Sequence, residues 1–188
     1  VPARTIPDFL AYARANPGKI SMASPGNGSG PHLSGELFKV MAGVDMVHVP
    51  YRGGGQMADL ISGQVQVAFV APVVSIDQIR AGKLRALAVT TSTRWSVLSD
   101  LPTMAEFLPG YESYGWFGIG APIRTPPDTV EKLNREINAV LSDPKIKERL
   151  TAMGGIVLGG SSADFRKLIA DETEKRGKVV KFAGAKPD

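Results

Sequence analysis

The chain has 188 residues, of which 43% are hydrophobic and 21% are charged, values typical of a globular protein of one or two domains. It contains no cysteine, which excludes disulfides, thiolate catalysis and cysteine-based metal centres. Two histidines, His32 and His48, are too few for a histidine-rich metal site. The formal net charge of +4 favours an anionic partner, but basic and acidic residues are interspersed, which argues against nucleic-acid binding.

The first ninety residues alternate between helical and strand patterns. Thr5 can cap a first helix, and Gly43 can end the second one. Short runs of apolar and β-branched residues are typical of buried parallel strands. The alternation predicts an α/β fold with a mostly parallel sheet. Predicted helices cover residues 5–16, 32–42, 56–62 and 75–81, and predicted strands cover residues 19–24, 46–51, 65–71 and 84–91.

The composition changes near Leu101, where prolines and glycines begin to punctuate the chain. We interpret residues 101–122 as a crossing between lobes, because Trp116, Phe117 and Ile119 are too apolar to be left in solvent. The later elements follow from periodicity and capping signals, including a capping box from Ser161 to Asp164. They are helices that begin near residues 125 and 144, a strand over 156–158, and a final helix after residue 161.

A glycine-rich segment, the first glycine loop (residues 24–31), follows a predicted strand and opens a helix. Free backbone amides at such a helix start attract negative charge, and the Ser29 hydroxyl can both cap the helix and contact a carboxylate. A plain turn with a helix cap is the alternative. The loop matches neither a dinucleotide fingerprint, since Gly30 falls one residue short, nor a phosphate-binding P-loop.

A second glycine loop (residues 51–55) follows the next predicted strand. Here Tyr51 offers a rigid surface with one hydroxyl, and Arg52 can pair with a carboxylate through two hydrogen bonds. Alternatively, Arg52 is a solvated surface charge. We expect His48 to be a buried, hydrogen-bonded core residue, whereas His32 either donates to a bound anion or bonds a nearby carbonyl.

Ser29 and His32 also admit an enzyme hypothesis, a hydrolase or isomerase that acts on a small carboxylate. A catalytic triad needs a nucleophile, a histidine and an acid that converge in space. The sequence places no evident acid beside His32 and contains no G-x-S-x-G elbow. The inventory therefore favours binding over catalysis.

Seven ordered motifs carry a resemblance over essentially the whole chain. They are SPGNGSGPHL (24–33), VHVPYRGG (47–54), DLISGQV (59–65), IRAGKLRALAV (79–89), LPTMAE (101–106), WFGIGAP (116–122) and GKVVK (177–181). Together they closely resemble the periplasmic substrate-binding receptors of the tripartite tricarboxylate transporter family, often called Bug receptors.

The resemblance implies an α/β fold of the type II periplasmic-binding-protein class, with two lobes of mostly parallel sheets that close on a ligand. It implies that residues 1–114 form the second, ligand-binding lobe and that residues 115–188 return to complete the first. The N-terminal part of the first lobe is expected to be absent from this chain. The implied function is periplasmic capture of a small organic carboxylate for membrane transporter subunits, without cofactor, metal, nucleic acid or catalysis. A sensor domain on the same fold is an alternative.

The resemblance also assigns ligand-binding roles at both loops. These fall on Asn27, Gly28, Ser29, Gly30 and the closing His32 in the first loop, and on Tyr51, Arg52, Gly53 and Gly54 in the second. Three positions depart from the pattern of the family. Gln66 stands where Asp is common, Gln56-Met57 replaces Pro-Ala, and Val70-Ala71-Pro72 replaces a strand end that commonly carries a polar residue. The last change implies a less polar ligand tail.

Overall fold

The computed structural model describes residues 1–183, and within them helices and parallel strands alternate as the sequence predicts. The helices are α1 (Ile6–Ala15), α2 (Gly30–Ala42), α3 (Gln56–Ser62), α4 (Pro72–Arg80), α5 (Pro127–Ser142), α6 (Pro144–Ala152) and α7 (Ser162–Ala183), and the strands are β1 (Ser21–Ser24), β2 (Val47–Pro50) and β3 (Val67–Ala68). Two short 3₁₀ turns cover Ser96–Leu98 and Met104–Glu106.

Side-chain caps set several helix ends. Thr5 accepts from the amide of Asp8 at 3.2 Å, and Asp8 accepts in return from the amide of Thr5. The predicted capping box between Ser161 and Asp164 is present in the same form. Helix α4 begins at Pro72, three residues before the predicted start, because proline fits the first helical position, where no amide donor is needed.

The sheet has the strand order β2-β1-β3, and both pairs are parallel. Its third strand is only two residues long, shorter than the predicted 65–71. The predicted strand over 84–91 is wrong: Val89 makes an isolated parallel bridge with Thr103. Val89 donates to the carbonyl of Pro102 and accepts from the amide of Met104, so its backbone bonds do not go to the sheet.

A hydrophobic core lies between α1, α2 and the sheet. Phe9 and Phe38 are 2% and 0% exposed, with ring centroids 5.8 Å apart. Burying a side chain of this size stabilises the fold by about 1.5–3 kcal/mol. Helix α2 lies close to β1 at Gly35, because a Cβ added there would collide with the side chain of Met22.

The chain divides into two compact units, residues 1–115 with the end of α7 from Lys178, and residues 116–177. The described buried apolar side chains all belong to the first unit, between Ala3 and Tyr111. In the second unit Trp116 contacts Phe165 edge-on, with ring centroids 5.6 Å apart. However, Phe117 is 99% exposed and Ile119 is 72% exposed, so the described residues do not bury these two side chains as predicted.

The predicted strand over 156–158 is also wrong, since this segment has no regular structure and Ile156 and Leu158 are exposed. A strand requires a neighbouring strand to accept and donate its backbone hydrogen bonds, and the described part of the chain offers none to these residues. Local sequence alone could not reveal that.

Candidate functional site

The two glycine loops begin side by side. They follow β1 and β2, which are adjacent parallel strands in which Ser24 is paired with Pro50. The amide of Tyr51 donates to the carbonyl of Ser24 at 2.8 Å, which joins the two strand ends. Ligands in open parallel sheets bind beyond this carboxyl edge. The register of the sheet therefore brings both predicted loops to one edge.

Hydrogen bonds within the first glycine loop define its shape. The Ser24 hydroxyl accepts from the amide of Gly26 at 3.1 Å and lies at the same distance from the carbonyl of Gly26. The Ser29 hydroxyl donates to that carbonyl at 2.7 Å. Gly28 adopts a φ of 73°, a left-handed conformation that glycine tolerates best. The loop is a defined structure built from side chains and backbone.

Ser29 also caps the 13-residue helix α2, which begins at Gly30, two residues before the predicted start. Its hydroxyl accepts from the amide of His32 at 3.4 Å. The second helical residue, Pro31, has no amide to donate. The partial positive charge of this helix end favours an anion beside it.

His32 and His48 stack against each other behind this loop. Their ring centroids are 3.8 Å apart with an interplanar angle of 16°. The amide of Gly28 donates to His32 Nδ1 at 3.0 Å, and His48 Nε2 lies 2.6 Å from the Ser24 hydroxyl. The expected hydrogen bond of His48 is therefore confirmed, but its expected burial is not, because the residue is only half-buried. His32 accepts from a loop amide, an arrangement that the sequence did not suggest.

Burial lowers the pKa of His32 below its ordinary value of 6.5. The carboxylate of Glu36, whose Oε1 lies 3.6 Å from Nε2, opposes this effect. Lys39 binds both oxygens of Glu36 at 2.9 Å and adds to the lowering. The ring is thus held neutral at pH 7.

Backbone conformation shapes the second glycine loop. Gly53, Gly54 and Gly55 have φ values of 86°, 114° and 93°, a run of left-handed residues that only glycine adopts readily. The Tyr51 hydroxyl donates to Asp59 Oδ2 at 2.6 Å, which fixes its ring beside the loop. This carboxylate raises the pKa of Tyr51 above 10.0.

The predicted ligand-binding residues differ in accessibility. Asn27, Gly28 and the stretch Arg52–Gly54 are exposed, Ser29, Gly30 and Tyr51 are half-buried, and His32 is 6% exposed. Space is open beside Gly28, Gly53 and Gly54, where an added Cβ would meet no atom within 4 Å. Their ligand contacts stay predictions.

Three polar groups beside the loops were missed by sequence reasoning. They are the hydroxyl of Ser24, the carboxylate of Asp59, and the buried Oε1 of Gln56, which accepts no hydrogen bond. Ser24 was detectable, because it continues the buried stretch of β1 to the strand end. The contact of Asp59 depends on how α3 follows its loop.

The geometry does not assemble the catalytic arrangement considered for Ser29 and His32. The Ser29 hydroxyl donates to the carbonyl of Gly26, and His32 Nδ1 is occupied by the amide of Gly28. The acid near His32, Glu36, is paired with Lys39. Among residues 1–183, therefore, no group is placed to deprotonate Ser29.

The chain matches the family described as the tripartite tricarboxylate transporter family receptor over residues 1–185, and it belongs to that family. It is 39% identical over 180 residues to a UPF0065 protein from the tcbD–tcbE intergenic region of Pseudomonas sp. strain P51, covering 94% of this chain and 54% of that protein. It is 35% identical over 180 residues to BugT of Bordetella pertussis, a match that covers 95% of this chain and 55% of BugT. The chain thus spans about half the length of these curated relatives.

Solved structures agree. R. palustris Rpa4515 with adipate matches with a TM-score of 0.94 and 38% identity, over 100% of this chain and 64% of that one. The periplasmic binding protein BugD matches with a TM-score of 0.90 and 33% identity, over 100% of this chain and 64% of BugD. MatC from Rhodopseudomonas palustris with bound malate matches with a TM-score of 0.86 and 29% identity, over 95% of this chain and 63% of MatC. The predicted family and its α/β periplasmic-binding-protein fold are therefore confirmed, and the relatives that the chain matches are receptors and binding proteins, not enzymes.

Two further observations concern the described residues 1–183. No helix there combines the length and apolar character needed to cross a bilayer. No three histidine or acidic side chains there are arranged to hold a metal ion.

Proposed function

We propose that this chain belongs to a periplasmic receptor that captures a small organic dicarboxylate at the two glycine loops and delivers it to a tripartite tricarboxylate-type membrane transporter. The observation that carries the proposal is the adjacency of the loops, which begin at neighbouring strand ends joined by the bond from Tyr51 to Ser24. Membership of the receptor family and the adipate and malate bound by two structural relatives support it.

The chemistry of the edge suits a carboxylate. The dipole of α2 stabilises an anion at the N-terminus of this helix by about 0.3–1 kcal/mol. Exposed donors from Asn27 and Arg52 can add charge-assisted hydrogen bonds of about 1.5–3 kcal/mol each. A micromolar affinity corresponds to a net binding free energy of about −8.2 kcal/mol, so burial of the apolar part of the ligand and further contacts must add to these terms.

The third strand end favours an apolar ligand tail. Residues 69–71, directly after β3, are Phe, Val and Ala, and the first two are half-buried. These side chains offer no hydrogen bond to a polar group along the ligand. A chain of methylene groups between two carboxylates, as in adipate, suits this edge better than a hydroxylated chain.

We also propose the predicted division into lobes, with residues 1–114 in one lobe and 115–188 completing the other; residues 184–188 lie outside the described residues. Support comes from Phe117, Ile119 and Ile123, which are between 72% and 99% exposed. Such side chains ordinarily pack against further polypeptide. The structural relatives have that additional length, since the chain covers 61–64% of them.

A thermal-shift series on the full chain tests the proposal, with adipate, malate, citrate and the uncharged diamide adipamide. A true ligand at 100 times its Kd adds about 2.7 kcal/mol of stability, which raises the Tm by about 5–10 °C. We expect that stabilisation with adipate, less with malate, and none with adipamide. Equal Tm values in all four, or stabilisation by adipamide alone, would contradict carboxylate binding.

A further inference from the structure

The buried side of the first glycine loop contains a chain of hydrogen bonds that no ligand contact explains. One branch runs from the amide of Gly28 to His32 Nδ1 at 3.0 Å. The other runs from the amide of Gly26 through the Ser24 hydroxyl to His48 Nε2. The two branches meet where the imidazoles stack, 3.8 Å between centroids.

The hydrogen bond from Gly28 fixes the protonation state of His32. An imidazole nitrogen that accepts an N–H carries no proton itself, so the ring proton lies on Nε2. That atom faces Glu36 Oε1 at 3.6 Å. A second proton, on Nδ1, would point at the amide hydrogen of Gly28 and abolish the bond.

We propose that His32 and His48, which stack on each other, are positioning residues for the first glycine loop: His32 orients the amide of Gly28 by accepting its hydrogen bond, His48 orients the hydroxyl of Ser24, and His32 acts only while it is neutral. The inference rests on the proposed function for its link to ligand affinity. The other part of the inference, that His32 orients the amide of Gly28, does not depend on a ligand.

The surroundings of the pair decide the direction of its pH dependence. Glu36 and Lys39 act on His32 from α2, and His48 faces it from β2, while β1 contributes the uncharged Ser24. Burial is the largest influence on the pKa of His32 and lowers it, Glu36 opposes it, and Lys39, which is paired with Glu36, adds to the lowering. The net effect disfavours a charged His32.

The linkage between protonation and folding has a defined sign. The pKa of His32 in the folded chain lies below the ordinary 6.5, so the unfolded chain binds the proton more readily. The stabilising contribution is complete above pH 6.5 and is lost as the pH falls from there through the lowered value. The loop is expected to loosen over the same range.

Two substitutions separate positioning from packing. His32→Asn keeps an acceptor oxygen near the place of Nδ1 and cannot titrate, whereas His32→Phe keeps a stacked ring and removes the acceptor. Hydrogen exchange of the Gly28 amide, followed from pH 7.5 to 5 in the ligand-free full chain, reports the loop directly. Calorimetry over the same pH range measures the affinity for adipate.

The wild-type chain should lose protection at Gly28 and affinity for adipate as the pH falls below 6.5. The His32→Asn variant should keep the protection of the Gly28 amide and the affinity for adipate at every pH from 7.5 to 5. The His32→Phe variant should lose the protection of Gly28 over the whole range and bind adipate about 3- to 10-fold more weakly at pH 7.5. Wild-type behaviour of Gly28 in either variant would overturn the inference. Absence of adipate binding in the wild type would instead count against the proposed function, while the exchange data still decide the role of His32.

Discussion

The two glycine loops lie at the same sheet edge but are built in opposite ways. Side chains hold the first loop, because the hydroxyls of Ser24 and Ser29 and the ring of His32 each bond its backbone. The second loop is shaped by three consecutive glycines with φ values between 86° and 114°. Its flanking bond, from Tyr51 to Asp59, joins two side chains beside the three glycines and does not involve their backbone.

This difference determines what each loop is sensitive to. The first loop depends on hydroxyl and imidazole groups, so removing a side chain or changing its protonation should alter it. The second depends on the absence of Cβ atoms, so adding a side chain should alter it.

Ser24→Ala should have the largest effect, because Ser24 is fully buried and its hydroxyl serves both the amide of Gly26 and His48 Nε2. Leaving buried polar groups without partners costs about 1–3 kcal/mol of unfolding free energy. Ser62→Ala is the matched control, since Ser62 is exposed and bonds only within its own helix. Urea unfolding of both variants measures the difference. Equal stabilities would mean that the first loop does not depend on its side chains.

Gly54→Ala should cost about 1–2 kcal/mol, because an added Cβ is strained at a φ of 114° although no neighbouring atom obstructs it. Gly177→Ala should act in the opposite direction, since Gly177 lies inside α7 with open space around it and alanine favours a helix by about 1 kcal/mol. Urea unfolding measures both changes, and calorimetry with adipate should show weaker binding only for Gly54→Ala. A stable, fully binding Gly54→Ala variant would show that the second loop does not need its backbone conformation.

Features of the fold that depend on residues close together in sequence were predicted better than features that depend on distant residues. The start of α1 and the end of α2 were predicted from Thr5 and Gly43, because a cap involves residues three or four positions apart. The strands over 84–91 and 156–158 were predicted from composition, yet a strand needs a neighbour that composition does not supply.

The same distinction applies to the site. Both glycine loops were visible as sequence motifs. The bond between Ser24 and His48 joins residues 24 positions apart and depends on the register of β1 and β2, which no local pattern encodes. The role of His32 required the positions of Gly28 and His48 together.

Ser29→Ala tests the predicted ligand role of the first loop against its capping role. Loss of a helix cap costs about 1 kcal/mol, and Thr5→Ala removes the equivalent cap from α1. Both variants should therefore lose similar stability in urea. Only Ser29→Ala should weaken adipate binding, by several-fold, because its hydroxyl lies at the loop edge and that of Thr5 does not. Equal affinities in the two variants would limit Ser29 to capping.

The smallest effect concerns the flank of the second loop. The carboxylate of Asp59 accepts from the Tyr51 hydroxyl at 2.6 Å, and this hydrogen bond to the neutral phenol is the main reason that the pKa of Tyr51 is raised, with desolvation and repulsion between two negative charges adding to it. The unfolded chain then releases the proton first, so the stabilisation is lost as the pH rises from 10.0 through the raised value. In Asp59→Asn the pKa of Tyr51, followed by carbon-13 NMR of labelled tyrosine, should return toward 10.0. An unchanged pKa would mean that Tyr51 does not donate to Asp59 in solution, and the second loop would then lack this side-chain restraint on its flank.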